Sequence, residues 1–325
     1  MPMMNMVDAL NTALREEMER DENVVVLGED VGRRGGVFLV TEGLIDIFGE
    51  DRVIDTPLTE LGIVGFAIGM AMYGLRPVAE IQFIDFVYEA FDQIVSNAAK
   101  IRFRSGGMYN VPLVIRSPCC GGIKGGMHHS QSPETYFIHT AGLYTVMPSG
   151  PYDAKGLLKA SIRADDPVIF LEPKSIYRTV KEEVPEDDYI VEIGKARKVL
   201  EGGDVTVVTY GAMVHMVKAS AELIRDRLGV ELDLIDLRTL YPFDREMILE
   251  SLEKTGRLII VHEAPKTLGL GAEIAAYIAE NHPELLYGPV IRVAGFDTPF
   301  PLAHEKLYMP NTARLYRAVK IVMEY

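Results

Sequence analysis

Short apolar runs of four to six residues alternate along the chain with longer segments in which apolar residues recur every three or four positions. The short runs predict buried strands, and the longer periodic segments predict helices that cover them. This alternation is typical of an α/β fold whose sheets are mostly parallel. The first part of the chain is predicted to contain strands at 24–28, 77–82, 113–116, 143–147 and 168–172 and helices at 7–20, 88–100 and 152–164, with a further helix that begins at Glu60.

The segment 179–190 interrupts this pattern with charged residues and one proline, which is typical of a linker. A chain of 325 residues is long for a single core and suits two domains. We therefore predict a first domain at 1–178, a linker at 179–190 and a second domain at 191–325. In the second domain the pattern predicts strands at 205–209, 231–235 and 258–262, an edge strand at 289–293, and helices at 213–227, 245–254, 271–280 and 312–322.

The composition excludes several classes of protein. Hydrophobic residues make up 48% and charged residues 25% of the chain, which is typical of a globular domain. No apolar run reaches the ~18 residues that a bilayer span requires, and the amino terminus lacks a secretory signal, so a cytoplasmic protein without a membrane segment is expected. A net charge of −14 argues against a nucleic-acid surface. The adjacent Cys119 and Cys120 are the only cysteines, too few for a disulfide framework and wrongly spaced for zinc.

Glu60 begins the most apolar of the predicted helices, and the fifteen residues after it, 61–75, contain no charge. A carboxylate that loses water without gaining a cation tends to take up a proton, and a protonated carboxyl group donates a hydrogen bond. The alternative is a first-turn carboxylate that the helix dipole stabilises. Glu60 is therefore a candidate acid whose role depends on the other motifs.

A glycine-rich segment, 121–126, leads directly to His128 and His129. It lacks the spacing of a P-loop, and the Gly269-Leu-Gly271 turn lacks the third glycine of a dinucleotide fingerprint. Glycines allow a loop to approach a ligand closely, and imidazole exchanges protons near pH 7. Adjacent side chains diverge on most backbones, so an acid or base role for one histidine is favoured over a metal pair.

Three further candidates stand at or just beyond the ends of predicted strands: Glu29, Gln82 and Phe86. Ligands bind at the carboxyl ends of parallel strands, where Gln82 could offer an amide and Phe86 an aromatic face. Packing in the core is the alternative for Phe86.

Seven segments carry a resemblance along nearly the whole chain: 28–32 (GEDVG), 55–63 (DTPLTELGI), 74–77 (GLRP), 129–134 (HSQSPE), 236–244 (DLRTLYPFD), 262–265 (HEAP) and 297–301 (DTPFP). Together they resemble the β subunits of the E1 component of 2-oxo acid dehydrogenase complexes, which are transketolase-like thiamine diphosphate enzymes. The resemblance implies two domains of the transketolase type, pyrimidine-binding and C-terminal. It also implies that the chain acts as an oxidoreductase subunit, decarboxylating a 2-oxo acid and transferring the acyl group to a lipoyl group.

The resemblance implies a role for each candidate residue. Glu60 would hydrogen-bond the aminopyrimidine ring nitrogen of thiamine diphosphate, and His129 would be the second catalytic residue. Phe86 would stack on the aminopyrimidine, with Leu58 on the apolar wall beside it. The remaining implied residues are Gln82 and Glu29 at the cofactor, Glu29 and Asp92 on a proton path between active sites, and a potassium site formed by the carbonyls of Leu113, Ser161, Ala164 and Asp166, where Ala164 replaces a usual Asp.

One motif of thiamine diphosphate enzymes is absent: no Gly-Asp-Gly sequence occurs in the chain. In the family that motif holds Mg²⁺ and the diphosphate on an α subunit, giving an α2β2 heterotetramer. The resemblance therefore implies that the isolated chain binds the cofactor poorly, and that it works with an α subunit and with the lipoyl and peripheral-subunit-binding domains of the acyltransferase E2.

Other functions stay open at the level of the sequence. Pyruvate and branched-chain 2-oxo acids are not distinguished. An acetoin dehydrogenase β subunit and the C-terminal half of a transketolase or deoxyxylulose phosphate synthase are related alternatives. A non-catalytic Rossmann-like binding or assembly subunit is an alternative of another class, although the broken glycine fingerprint disfavours nucleotide binding.

Overall fold

The computed structural model describes all 325 residues. The elements of the first part of the chain are β1 (Met3–Asn5), α1 (Met6–Arg20), β2 (Val24–Gly28), α2 (Leu44–Phe48), β3 (Val53–Asp55), α3 (Glu60–Met72), β4 (Arg76–Glu80), α4 (Ile101–Arg104), β5 (Val114–Cys119), α5 (Glu134–Ile138), β6 (Tyr144–Val146), α6 (Pro151–Arg163), β7 (Val168–Pro173) and β8 (Lys181–Glu183). Those of the second part are β9 (Arg197–Leu200), β10 (Val205–Thr209), α7 (Met213–Leu228), β11 (Leu232–Asp236), β12 (Thr239–Tyr241), α8 (Arg245–Thr255), β13 (Leu258–Pro265), α9 (Leu270–Asn281), β14 (Ile291–Gly295), α10 (Glu305–Tyr308) and α11 (Thr312–Val322).

Two sheets form the framework. The first has seven strands in the order β12-β6-β7-β5-β4-β2-β3, and the second has five in the order β14-β13-β10-β11-β9. All neighbouring pairs are parallel except β12 with β6 and β9 with β11. The predicted α/β class with mostly parallel sheets is therefore confirmed. No helix combines the length and the apolar character that crossing a bilayer requires.

Helices cover both faces of the first sheet, because successive strand residues point to opposite sides. In β2, Val26 joins an apolar cluster with residues of α1 and α6, whereas Leu27 joins a cluster of 38 buried residues that includes α3. That larger cluster also contains Val208 and Ile260 of the second sheet. One face of each sheet therefore contributes to a shared cluster, and separate clusters cover the opposite faces.

The predicted helix at 88–100 is wrong in type. A 3₁₀ segment covers Ile84–Ala90 and a π-helical segment covers Gln93–Ala98. Ile84, Val87 and Ala90 are fully buried and recur every three positions, which matches the three residues per turn of a 3₁₀-helix. Tertiary packing therefore decided the helix type in this segment.

Several short strands were not predicted. β9 and β12 are edge strands of three or four residues, too short to show a period. β12 follows the predicted linker in sequence but pairs with β6 of the first sheet. Within the linker, β8 pairs antiparallel with β1. The edge strand β14 begins two residues later than expected, after Pro289, which cannot donate to a ladder.

Candidate active site

Two buried carboxyl groups, Glu29 and Glu60, lie close together at one end of the first sheet. Glu29 directly follows β2 and Glu60 begins α3, and their side chains are 8% and 7% exposed. Burial raises the pKa of Glu29, and the nearby carboxylate of Glu60 raises it further. Oε1 of Glu29 is buried without a hydrogen-bond partner. The chain leaves this carboxyl pair without a cation, and an external hydrogen-bonding group would satisfy it.

The segments that carry the two carboxyl groups are bonded to each other. Oδ1 of Asp55 accepts a hydrogen bond from the amide of Gly32 at 2.7 Å, and the amide of Thr56 donates to the carbonyl of Gly28 at 3.0 Å. A Cβ at Gly28 would lie 2.7 Å from a backbone oxygen of β4, and its φ of +155° also favours glycine. These contacts bring the 28–32 and 55–63 motifs together and fix where Glu29 and Glu60 sit.

The first turn of α3 is set by its cap. The Thr59 hydroxyl accepts a hydrogen bond from the amide of Gly62 at 3.3 Å, which is the usual role of a threonine at this position. Glu60 then occupies the first helical position, where the helix dipole favours a negative charge. The helix-dipole explanation weighed for Glu60 therefore fits its position at the start of α3.

The structure distinguishes the two histidines. His128 is exposed, whereas His129 is half-buried against two aromatic rings. The ring centroid of His129 lies 4.6 Å from that of Phe83 and 5.6 Å from that of Phe86, each edge-on. Just after His129, the amides of Ser130 and Gln131 donate hydrogen bonds to Asp85 at 3.3 and 3.2 Å. Phe83 and Asp85 were not predicted as site residues, although both stand in the segment after β4 that drew attention to Gln82.

The other predicted residues are distributed unevenly. Phe86 and Gln82 are half-buried in the segment after β4, and Phe86 contacts His129. Leu58 is 82% exposed in the loop before α3. Asp92 is exposed and forms no hydrogen bond or ion pair, so this chain alone contains no link between Asp92 and Glu29.

The predicted potassium ligands lie at the end of α6 and the starts of β5 and β7. The carbonyl of Leu113 accepts from the amide of Val168 at 2.9 Å, and that of Ala164 accepts from Nη1 of Arg76 at 2.9 Å. A carbonyl oxygen has two lone pairs, so these bonds leave acceptor capacity. The Arg76 guanidinium nevertheless puts a positive charge beside the Ala164 carbonyl, which weakens the attraction for a cation there.

A second pair of buried carboxylates lies beside the first but has a cation. Arg116 on β5 forms two hydrogen bonds of 2.7 Å to Glu172 and also pairs with Glu80 at the end of β4. The hydroxyl group of Tyr177 donates a hydrogen bond to Glu172. Burial raises the pKa of Glu80, and Arg116 opposes that shift. Sequence inspection missed this network, because its members are far apart in the chain.

Another buried carboxyl group, Glu263 on β13, faces the start of the glycine-rich segment. It accepts a hydrogen bond from the amide of Gly121 at 3.0 Å. Burial raises the pKa of Glu263 to about 7, against the opposing effects of that bond and of Lys174. Across the whole chain, no group of three or more His, Cys, Asp and Glu side chains is arranged to hold a metal ion.

Comparison with known proteins identifies two family models in the chain. The transketolase pyrimidine-binding domain matches residues 2–180, and the transketolase C-terminal domain matches residues 194–315. A solved chain described as a split-gene transketolase, inactive β4 tetramer, has the same fold, with a TM-score of 0.81 over 98% of each chain at 22% identity.

Full-length relatives are much more similar in sequence. The 2-oxoisovalerate dehydrogenase subunit β of Bacillus subtilis is 50% identical over 100% of both chains. The mitochondrial 2-oxoisovalerate dehydrogenase subunit β of Dictyostelium discoideum is 51% identical over 99% of this chain and 87% of its own length. The pyruvate dehydrogenase E1 component subunit β of Staphylococcus epidermidis is 48% identical over 100% of both chains.

Proposed function

This chain belongs to the transketolase-like β subunits of 2-oxo acid dehydrogenase E1 components, and from that premise we propose that Glu60, Glu29 and His129 form its part of a thiamine diphosphate site. The enzyme is a thiamine diphosphate-dependent 2-oxo acid dehydrogenase that works with an E1 α subunit. Its relatives act in the pyruvate and branched-chain systems, which disfavours the acetoin dehydrogenase, transketolase and non-catalytic alternatives.

The observation that carries the proposed site is the carboxyl pair that lacks a partner. An aminopyrimidine ring offers a nitrogen that Glu60 can hydrogen-bond, and it would occupy the unfilled side of the pair. The raised pKa of Glu29 makes its carboxyl group hold a proton more strongly than an ordinary glutamate, beside Glu60. The bound cofactor supplies the electron sink for decarboxylation, while these residues hold and move the proton that activates it.

His129 is proposed to act on the substrate or on the dihydrolipoyl group. Its ring packs edge-on against Phe83 and Phe86, which limits its movement, and a positioned imidazole is a suitable general acid or base. Phe86 would present its remaining aromatic surface to the aminopyrimidine, and Gln82 its amide. His128 points into solvent and is expected to contribute little.

The partner surface is proposed to lie next to Glu60. After Glu60, helix α3 is apolar on all sides, yet Leu61 and Phe66 on it are 50% and 62% exposed. Leu58 and Tyr73, which flank the helix, are 82% and 93% exposed. Apolar surface of this extent, adjacent to a half-built site, is typical of a protein interface. An E1 α subunit covering it in an α2β2 assembly would bring Mg²⁺ and the diphosphate-binding half, and would give Asp92 a route to Glu29.

Two finer points extend the proposal. The lipoyl and peripheral-subunit-binding domains of E2 are the proposed acceptor and docking partners. A K⁺ ion is proposed at the carbonyls of Leu113, Ser161, Ala164 and Asp166, bound weakly because of Arg76. Replacing Na⁺ in the buffer with K⁺ should then raise the melting temperature of the protein slightly. An unchanged melting temperature would exclude that ion site.

The proposed function is tested by co-expressing the chain with an E1 α subunit and assaying decarboxylation of pyruvate and 2-oxoisovalerate. Glu60→Ala should lower kcat about 100-fold or more, because proton transfer by a positioned side chain contributes about that much. Glu50→Ala, which removes an exposed carboxylate, should leave kcat unchanged. Normal turnover by the Glu60→Ala enzyme would refute the proposed role.

A further inference from the structure

The glycine-rich loop at 121–126 is held by carboxylates from the second part of the chain. Glu305 on α10 accepts two hydrogen bonds from the loop. Its Oε1 accepts one from the amide of Gly122 at 3.1 Å, and its Oε2 accepts one from the amide of Lys124 at 2.9 Å. Glu263 accepts the amide of Gly121 at 3.0 Å. Three amides within four residues therefore donate to two carboxyl groups that lie between 142 and 183 positions away.

Contacts from the same region restrict side chains at part of the loop. A Cβ at Gly121 would lie 2.7 Å from the ring of Phe300, whereas one at Gly126 would meet Leu302 at an ordinary contact distance of 3.7 Å. A Cβ at Gly125 would lie 2.7 Å from Cβ of His129. Glycine is thus required at 121 and 125 by the fit between the loop, Phe300 and the histidine itself.

His129 lies between this anchor and another. On its carboxyl side, Asp85 accepts the amides of Ser130 and Gln131. On its amino side, the amides of 121–126 donate hydrogen bonds to other parts of the chain only at Glu263 and Glu305. Loss of the second anchor would free the amides of the 121–126 segment, whose four glycines could then change conformation upstream of His129.

We propose that Glu305, assisted by Glu263, is a positioning residue that fixes the 121–126 loop and through it the ring of His129. The proposal rests on the catalytic role proposed for His129. It also assigns a role to the 262–265 and 297–301 segments, which carry part of the family resemblance. These segments supply Glu263 and Phe300, which contact the loop. The second part of the chain thereby takes part in building the site on the first.

Amide hydrogen exchange of the reconstituted α/β enzyme tests the anchor directly. A hydrogen bond from an amide to a carboxylate is charge-assisted and protects that amide. Glu305→Ala should speed exchange in a peptide covering Gly122 and Lys124 by about tenfold or more, with no change at the Asp85 anchor. The matched control is Glu280→Ala, which removes an exposed carboxylate on α9 that makes no hydrogen bond. Equal protection in Glu305→Ala and Glu280→Ala enzymes would overturn the proposal.

Steady-state kinetics test whether the anchor matters for His129. Glu305→Ala should lower kcat about 10- to 100-fold with little change in KM, since a small misplacement of a catalytic group costs about that much. Glu305→Gln keeps one acceptor oxygen and should recover part of both kcat and protection. Faster exchange with an unchanged kcat would overturn the positioning role.

A His129→Ala enzyme distinguishes the positioning role of Glu305 from the catalytic role proposed for His129, on which it rests. If Glu305→Ala has no effect on kcat while His129→Ala abolishes turnover, the positioning role fails and the proposed site survives. If His129→Ala leaves kcat unchanged, the proposed role of His129 fails, and the positioning role falls with it.

Discussion

Two pairs of buried carboxyl groups lie at the same end of the first sheet, and they differ in whether the chain supplies a cation. Glu80 and Glu172 share the guanidinium of Arg116, whereas Glu29 and Glu60 share no cation and Glu29 keeps an unpartnered oxygen. All four are less than a tenth exposed. Burial alone therefore does not mark the active site. In the proposed function, the missing cation distinguishes Glu29 and Glu60, because a buried carboxyl pair without a counter-charge favours a group supplied from outside.

The largest effect is expected where the cation is removed. Arg116→Leu leaves Glu80 and Glu172 buried without a counter-charge, and breaking such a pair costs about 3–5 kcal/mol. The free energy of unfolding, measured by urea denaturation at pH 7.5, should fall by that amount. Adding Glu80→Gln and Glu172→Gln to the same chain should restore part of it. An Arg116→Leu chain as stable as wild type would remove the contrast between the two carboxyl pairs.

The next effect concerns pH and Glu263, a third buried carboxyl group without a cation of its own. Its pKa is raised from the ordinary value near 4.5 to about 7, so between those values the folded chain binds more protons than the unfolded chain. Stability therefore falls as pH rises through that window, by up to about 3 kcal/mol. Glu263→Gln should flatten the dependence of unfolding free energy on pH between 5 and 8, and an unchanged slope would contradict the assignment.

The smallest effect is expected at Glu29 and Glu60, the carboxyl pair that lacks a cation. Glu29→Gln removes the repulsion between Glu29 and Glu60, and it should stabilise the isolated chain by less than about 1 kcal/mol at pH 8, because solvent at the site screens part of the charge. Since the pKa of Glu29 is raised, the gain should vanish as pH falls toward the ordinary carboxyl range. The matched change Glu50→Gln, at an exposed position, should show no such pH dependence. Destabilisation by Glu29→Gln at pH 8 would indicate a hidden cationic partner.

The parts of this picture that the sequence predicted are those written in local patterns. The strand and helix alternation predicted the α/β class with mostly parallel sheets, and the apolar stretch after Glu60 predicted the helix that begins there. Two features join residues that are far apart in the chain, so no local pattern contains them. They are the Arg116 network and the hydrogen bonds from the glycine-rich loop to Glu305. The choice of His129 over His128 depends on contact with Phe83, and the 3₁₀ turn at 84–90 depends on packing against the sheet. Such features are decided by tertiary structure.

The comparison between the two carboxyl pairs leads to one central claim: Glu60 belongs to half of a thiamine diphosphate site that another subunit completes. Calorimetric titration of thiamine diphosphate with Mg²⁺ tests it most directly, on the isolated chain, the reconstituted α/β pair and the pair carrying Glu60→Ala. The pair should bind at least about 100-fold more tightly than the isolated chain, a difference of about 2.7 kcal/mol, and Glu60→Ala should weaken binding by the pair. Binding to the isolated chain as tight as to the pair would contradict the claim.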